Sequence, residues 1–266
     1  MKSMILLWVL YALPACAAAQ QHAELFNTSC AHPGAGVLQS PFETHAGLLA
    51  FTPGKHFGAV YEPPAFISSL RLVSCQGSLP AGPFTFAAHW HQVGFTGYLE
   101  QEGSLKAAMH IGKKAGVGAG FHYFTRFAGG YGLQSGCAFS AGMAIQPDTR
   151  WVVSAQVQNP AEFTFKDSHT ILPVMYGLKI GHRLSEQVVL GMSFHKYDRN
   201  PLQPFAFAAY QPQARWGING GIGINPAQAG AAVHVAWGGF TFWGSVQYNQ
   251  WLGTVPGAAF SFSGKS

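Results

Sequence analysis

Histidine is the one polar residue with an unusual count, twelve in 266 residues. Four copies, His89, His91, His110 and His122, fall on the same side of three successive alternating segments. Neutral imidazoles at positions i and i+2 can share a metal ion. No carboxylate or cysteine joins them at ligand spacing, so a polar wall of hydrogen-bonding groups is the simpler reading. No metal or cofactor is expected. Ser193-x-His195, and His234 near Ser245, offer the side chains of a hydrolase. Such a site also needs an acid or amide that orients the imidazole. There is no Gly-x-Ser-x-Gly elbow, and the acidic residues, Glu100 and Glu102 among them, are expected at strand ends or in loops. A non-enzymatic role with no catalytic residue is therefore expected.

The elements that would carry these residues are strands. From Gly82 to His91, Phe84, Phe86, Ala88 and Trp90 share one face, while Thr85, Ala87, His89 and His91 share the other. Side chains alternate across a strand with period two. The rule repeats along the chain. Leu105, Ala107, Met109 and Ile111 oppose Lys106, Ala108 and His110, and Val117, Ala119, Phe121 and Tyr123 oppose Gly116, Gly118, Gly120 and His122. Tyr176, Leu178 and Ile180 oppose Gly177 and Lys179; Trp216, Ile218 and Ile222 oppose Arg215 and Asn219; Val233 and Val235 oppose His234. Turn residues separate the segments at Gly112-Lys113-Lys114, Gln146-Pro147-Asp148 and Gly238-Gly239.

Segments of about ten residues with this dyad repeat are the signature of a transmembrane barrel. A soluble sandwich also alternates, but its polar face should carry charge. Here that face carries Gly, Ser, His and Gln, and only 9% of the chain is charged. The expected fold is all-β: a transmembrane up-and-down antiparallel β-barrel of about fourteen strands, between His45 and Phe262. Lys106, Lys179, Arg215 and His234 join the four histidines as candidates for the lumen wall. The glycines at 116, 118 and 120, and at 217, 221 and 223, leave room there for a loop, a plug or another backbone, or else permit tight curvature.

Residues 1–19 read as a signal peptide: Lys2, an apolar stretch from Met4 to Leu13, then Ala17-Ala18-Ala19. Leu13-Pro14-Ala15-Cys16 offers a lipobox alternative. Residues 20–44 are expected to form a periplasmic or plug segment, and 45–266 the barrel. Cys30 and Cys75 could pair in an oxidising compartment, whereas Cys137 reads as a small apolar strand residue. Basic residues are scattered, so no nucleic-acid partner is expected.

The stretch SLKAAMHIGKKAGVGAGFHYFTRFAGGYG (Ser104–Gly132), then WVVSAQVQNPAEF (Trp151–Phe163), then INGGIGINPAQAGAAVHVAWGGFTFWGSVQYNQWLG, resembles the PorV/PorQ-like outer-membrane barrels of Bacteroidota, within the FadL-like superfamily. In place of that family's N-terminal Asn-Pro-Ala motif the chain reads CAHPGAGVLQSPFETHAGL. The resemblance implies a fourteen-stranded barrel in the outer membrane of a Gram-negative cell. It implies outer-membrane lipid around the barrel, and either a protein of the type IX secretion system or a hydrophobic ligand as partner. It leaves open whether the role is secretion-associated binding or transport of hydrophobic compounds.

Overall fold

Fourteen alternating strands pair into a closed cylinder. The computed structural model describes residues 45–52, 54–62, 70–130, 132–163, 174–198, 200–213, 215–225, 227–250 and 253–264. The strands are β1 (Lys55–Glu62), β2 (Arg71–Ala81), β3 (Phe84–Phe95), β4 (Tyr98–Ile111), β5 (Ala115–Ala128), β6 (Gly132–Ile145) and β7 (Trp151–Gln158). They continue as β8 (Met175–Arg183), β9 (Val188–Tyr197), β10 (Gln203–Gln213), β11 (Trp216–Gly223), β12 (Gln228–Trp237), β13 (Phe240–Asn249) and β14 (Gly253–Gly264). Each pairs antiparallel with its sequence neighbours, and β1 pairs with β14, from Lys55 opposite Gly264 to Tyr61 opposite Ala258. Closure leaves no unpaired sheet edge.

The two ends of the barrel differ. At one rim the strands are joined by short turns, such as Gly82-Pro83 and Gly238-Gly239, and β1 starts and β14 ends there. Gly82, Gly112 and Gly238 take positive φ in these turns, a backbone that glycine adopts without steric cost. In the turn after β6, the amides of Arg150 and Trp151 donate to Asp148 Oδ1, holding that carboxyl below the ordinary carboxylate range. The longer connections, between β7 and β8 for example, lie at the other rim.

The outward face is apolar almost everywhere. Leu105, Phe121, Phe139, Leu178, Ile222 and Val233, from six different strands, are all exposed there. A continuous surface of this kind is what hydrocarbon solvates. Trp151, Trp216 and Trp237 stand on it at the short-turn rim, as an interfacial girdle requires. Cys75 and Cys137 also point outward, by their register with Ala59 and Tyr123, and both thiols are free. Cys30 lies outside the described residues, as do the segments 1–19 and 20–44.

The first strand starts at Lys55, ten residues after the expected start of the barrel. The intervening residues Ala46–Phe51 form a 3-10 turn that is fully buried against the inner wall of β3 to β7. This lumenal turn shows why the wall is glycine-rich. A Cβ at Gly118 would lie 2.3 Å from the carbonyl oxygen of Ala46, and one at Gly116 would lie 2.7 Å from Ala50 Cβ. Gly47 in turn sits against the backbone of Met143, its own Cβ position 2.5 Å from that carbonyl carbon. The second group of glycines serves rings instead: His234 covers Gly217, and Phe205 covers Gly221 and Gly223, as Phe207 covers Gly191 on β9.

Candidate functional site

The inner wall is layered along β3 to β6. Nearest the long-loop rim, Glu100 on β4 receives hydrogen bonds from Tyr98 and from Arg126 of β5. One layer deeper, Glu102 of β4 accepts from Nδ1 of His122 on β5 at 2.8 Å, and Nε2 of His122 lies 2.9 Å from Oγ of Ser140 on β6. All three side chains are buried. Deeper again come Gly116, Gly118 and Gly142, with the lumenal turn seated on them.

Strand register assembles this middle layer. His91 stands opposite Glu102, His89 opposite Ser104, and Ser104 opposite His122. Lys106 stands opposite Gly120, which stands opposite Ser140. His89 and His91 stack at 6.2 Å with their planes 15° apart. The structure therefore brings His89, His91, Lys106 and His122 to one patch around Glu102. Glu100 lies at the start of β4, a strand end as expected, whereas Glu102 lies further within the strand, and both face inward. β4 continues past the apolar belt to Tyr98, because Gln92, Gln101 and Thr125 hydrogen-bond to one another on its outward side. Polar outward residues hide the end of a strand from a reading based on apolar alternation.

The other candidates lie elsewhere. His110 stands near the short-turn rim, its ring edge-on to Phe51 at 4.9 Å. Lys179, only 2% exposed, lies on β8 between Ser154 and Ser193 of the flanking strands. His45 of the incoming chain hydrogen-bonds Ser154 at 3.0 Å and meets the edge of His195, and the amide of Ala46 donates to Gln156 Oε1. His234 rests on Trp243 with ring centroids 4.3 Å apart. Arg215 is exposed in the turn that precedes β11. The pairing of His234 with Ser245 does not form, since Ser245 Oγ has no hydrogen-bond partner. Among the described residues no three of His, Cys, Asp or Glu converge as metal ligands would.

The centre of the lumen is apolar. Leu48, Leu49 and Phe51 of the lumenal turn form one buried cluster with Val152 of β7 and with Phe205 and Phe207 of β10. The turn thus joins two walls of the barrel.

No known family's sequence profile matches the chain, and no curated protein matches it. Solved structures do. The Pseudomonas putida toluene transporter TodX superposes with a TM-score of 0.61 at 8% identity, over 83% of this chain and 92% of that one. A FadL homologue of Pseudomonas aeruginosa gives 0.61 at 9% identity, over 90% and 97%. The CymD monoaromatic hydrocarbon channel gives 0.57 at 10% identity, over 82% and 91%. At such identities the likeness is one of fold: this chain has the barrel architecture of those three proteins, closed here by fourteen antiparallel strands.

Proposed function

We propose that the protein is an outer-membrane conduit for small hydrophobic compounds, exported by the signal peptide at 1–19 and plugged by the N-terminal segment that ends in the lumenal turn. The short-turn rim, with both ends of the barrel, is then the periplasmic side. The observation that carries the reading is the apolar cluster across the lumen. A path for ions or sugars needs water and a polar or charged constriction. Here the lumen is crossed by Leu48, Leu49, Phe51, Phe205 and Phe207, surfaces into which an apolar solute partitions. The names of TodX and CymD, a toluene transporter and a monoaromatic hydrocarbon channel, point the same way.

The test compares Gram-negative cells that carry or lack the protein for uptake of labelled toluene and labelled oleate, with swelling of reconstituted liposomes in arabinose alongside. Faster uptake of either hydrophobic probe without sugar-driven swelling is the expected result. Sugar permeation, or no gain in uptake, overturns the reading. The finer kinship with PorV/PorQ barrels of Bacteroidota rests on sequence rhythm alone. It predicts a stoichiometric secretion-system protein on the gently extracted barrel, which mass spectrometry of the same cells' membranes would detect.

A further inference from the structure

Glu102, His122 and Ser140 form a linear chain of hydrogen bonds from carboxylate to imidazole to hydroxyl. A carboxylate only accepts, so Nδ1 of His122 carries the proton. In the neutral imidazole that leaves Nε2 as the acceptor, with the Ser140 hydroxyl donating to it. This is the tautomer and the order in which a serine nucleophile, a general base and an orienting acid act. We infer that this triad is a lumenal acyl-ester hydrolase site, with Ser140 as nucleophile, His122 as base and Glu102 as the residue that positions His122.

The surroundings supply the remaining parts. The point where a Cβ would stand on Gly120 is 2.6 Å from Ser140 Oγ, 3.3 Å from His122 Nε2 and 3.1 Å from Lys106 Cγ. The stem of Lys106 therefore passes near the nucleophile, and in this proposal its ammonium group is assigned to meet the oxyanion. Backbone amides within the sheet are already committed to the strand ladder, so a side chain must fill that role. Phe124 stacks on His122 at 6.2 Å and packs on buried Ala138, an apolar seat beside the reacting group. A carboxylic ester with a hydrophobic acyl group fits this combination.

In the reaction Ser140 Oγ attacks the acyl carbon while its proton passes to His122 Nε2. The ester C–O bond then breaks, and that proton leaves with the alcohol. Water attacks the acyl-serine, His122 takes its proton and returns it to Ser140, and the carboxylic acid departs.

The inference goes beyond the conduit reading and is tested apart from it. The full-length barrel, folded in detergent, is treated with a short alkyl fluorophosphonate and followed by intact mass and peptide mapping. Labelling forms a P–O bond at Ser140 and expels fluoride. The expected result is one adduct, at Ser140, absent in Ser140→Ala. His122→Ala should slow labelling by roughly 10²- to 10⁴-fold, the usual range for loss of a general base. Glu102→Gln should slow it too, and Glu102→Asp should restore part of the rate, which a merely structural carboxylate would not do. Hydrolysis of p-nitrophenyl butyrate should follow the same order. Heat-modifiable gel mobility confirms that each variant is folded. Folded wild-type protein with no adduct at Ser140 overturns the inference, as does labelling at an undiminished rate in folded His122→Ala.

Discussion

At the scale of single residues, the inner wall shows what a missing side chain accomplishes. Gly118 has backbone on both sides: a Cβ there would stand 2.3 Å from Ala46 O and 3.1 Å from Ala107 O. Neither atom can move without shifting the lumenal turn or the sheet. The sheet is held by a complete ladder to both neighbours, so the turn should yield. Gly118→Val is therefore expected to unseat residues 46–51 while the barrel stays closed, at the roughly 1–3 kcal/mol typical of overpacking. Limited proteolysis should then cut near the turn, with unchanged heat-modifiable mobility. Gly103→Ala on the outward side of β4, where nothing lies within 4 Å, is the control and should change neither. Proteolytic resistance equal to wild type in folded Gly118→Val would contradict the seat assigned to the turn.

At the scale of elements, the turn and the strands differ in how they are held. A strand is fixed by its neighbours along its whole length, whereas the turn depends on a few contacts. His45 with Ser154, and the Ala46 amide with Gln156, tie its start to β7, and its apolar side chains bind it to β10. Losing one buried hydrogen bond costs about 1 kcal/mol, more if the partner is left bare. His45→Ala should loosen the start of the turn and raise the uptake of labelled toluene, with no loss of barrel stability. Phe205→Ala should do so more strongly, because it removes the far anchor of the cluster and uncovers Gly221 and Gly223. Equal uptake in wild type and both variants would show that the turn does not limit passage. Strands were legible in the sequence because period two is a local property, readable one segment at a time. The lumenal turn was not, since Ala46–Phe51 has no periodicity and its burial depends on glycines about seventy or more positions later. The Glu102–His122–Ser140 chain escaped for a related reason. Its members sit on three strands, and only the register, set by the turns between them, aligns them. His122 was visible as an inward polar residue; Glu102 was hidden by a β4 that runs beyond its apolar belt.

At the scale of the whole molecule, the barrel is sorted by solvent. Its inward face carries hydroxyls, imidazoles and glycines, and its outward face carries side chains that water would not solvate. If lipid is the outer solvent, the cost of an added charge must depend on depth rather than on exposure. Phe121 and Trp237 separate the two. Phe121 points outward near the middle of β5 and is 39% exposed, whereas Trp237 ends β12 at the short-turn rim and is 80% exposed. In water, the more exposed and the less exposed site would both accept arginine at little cost. In a bilayer, arginine at mid-depth costs about 2–4 kcal/mol, falling to about 0–1 kcal/mol near the interface. Phe121→Arg should therefore destabilise the barrel in reversible unfolding from phospholipid vesicles by several times more than Trp237→Arg. In a short-chain detergent micelle, which can deform around a charge, the gap should narrow. Equal, small effects of the two substitutions in vesicles would mean that the apolar belt is covered by something other than lipid, and the assignment of the outer face to the membrane would fall with them.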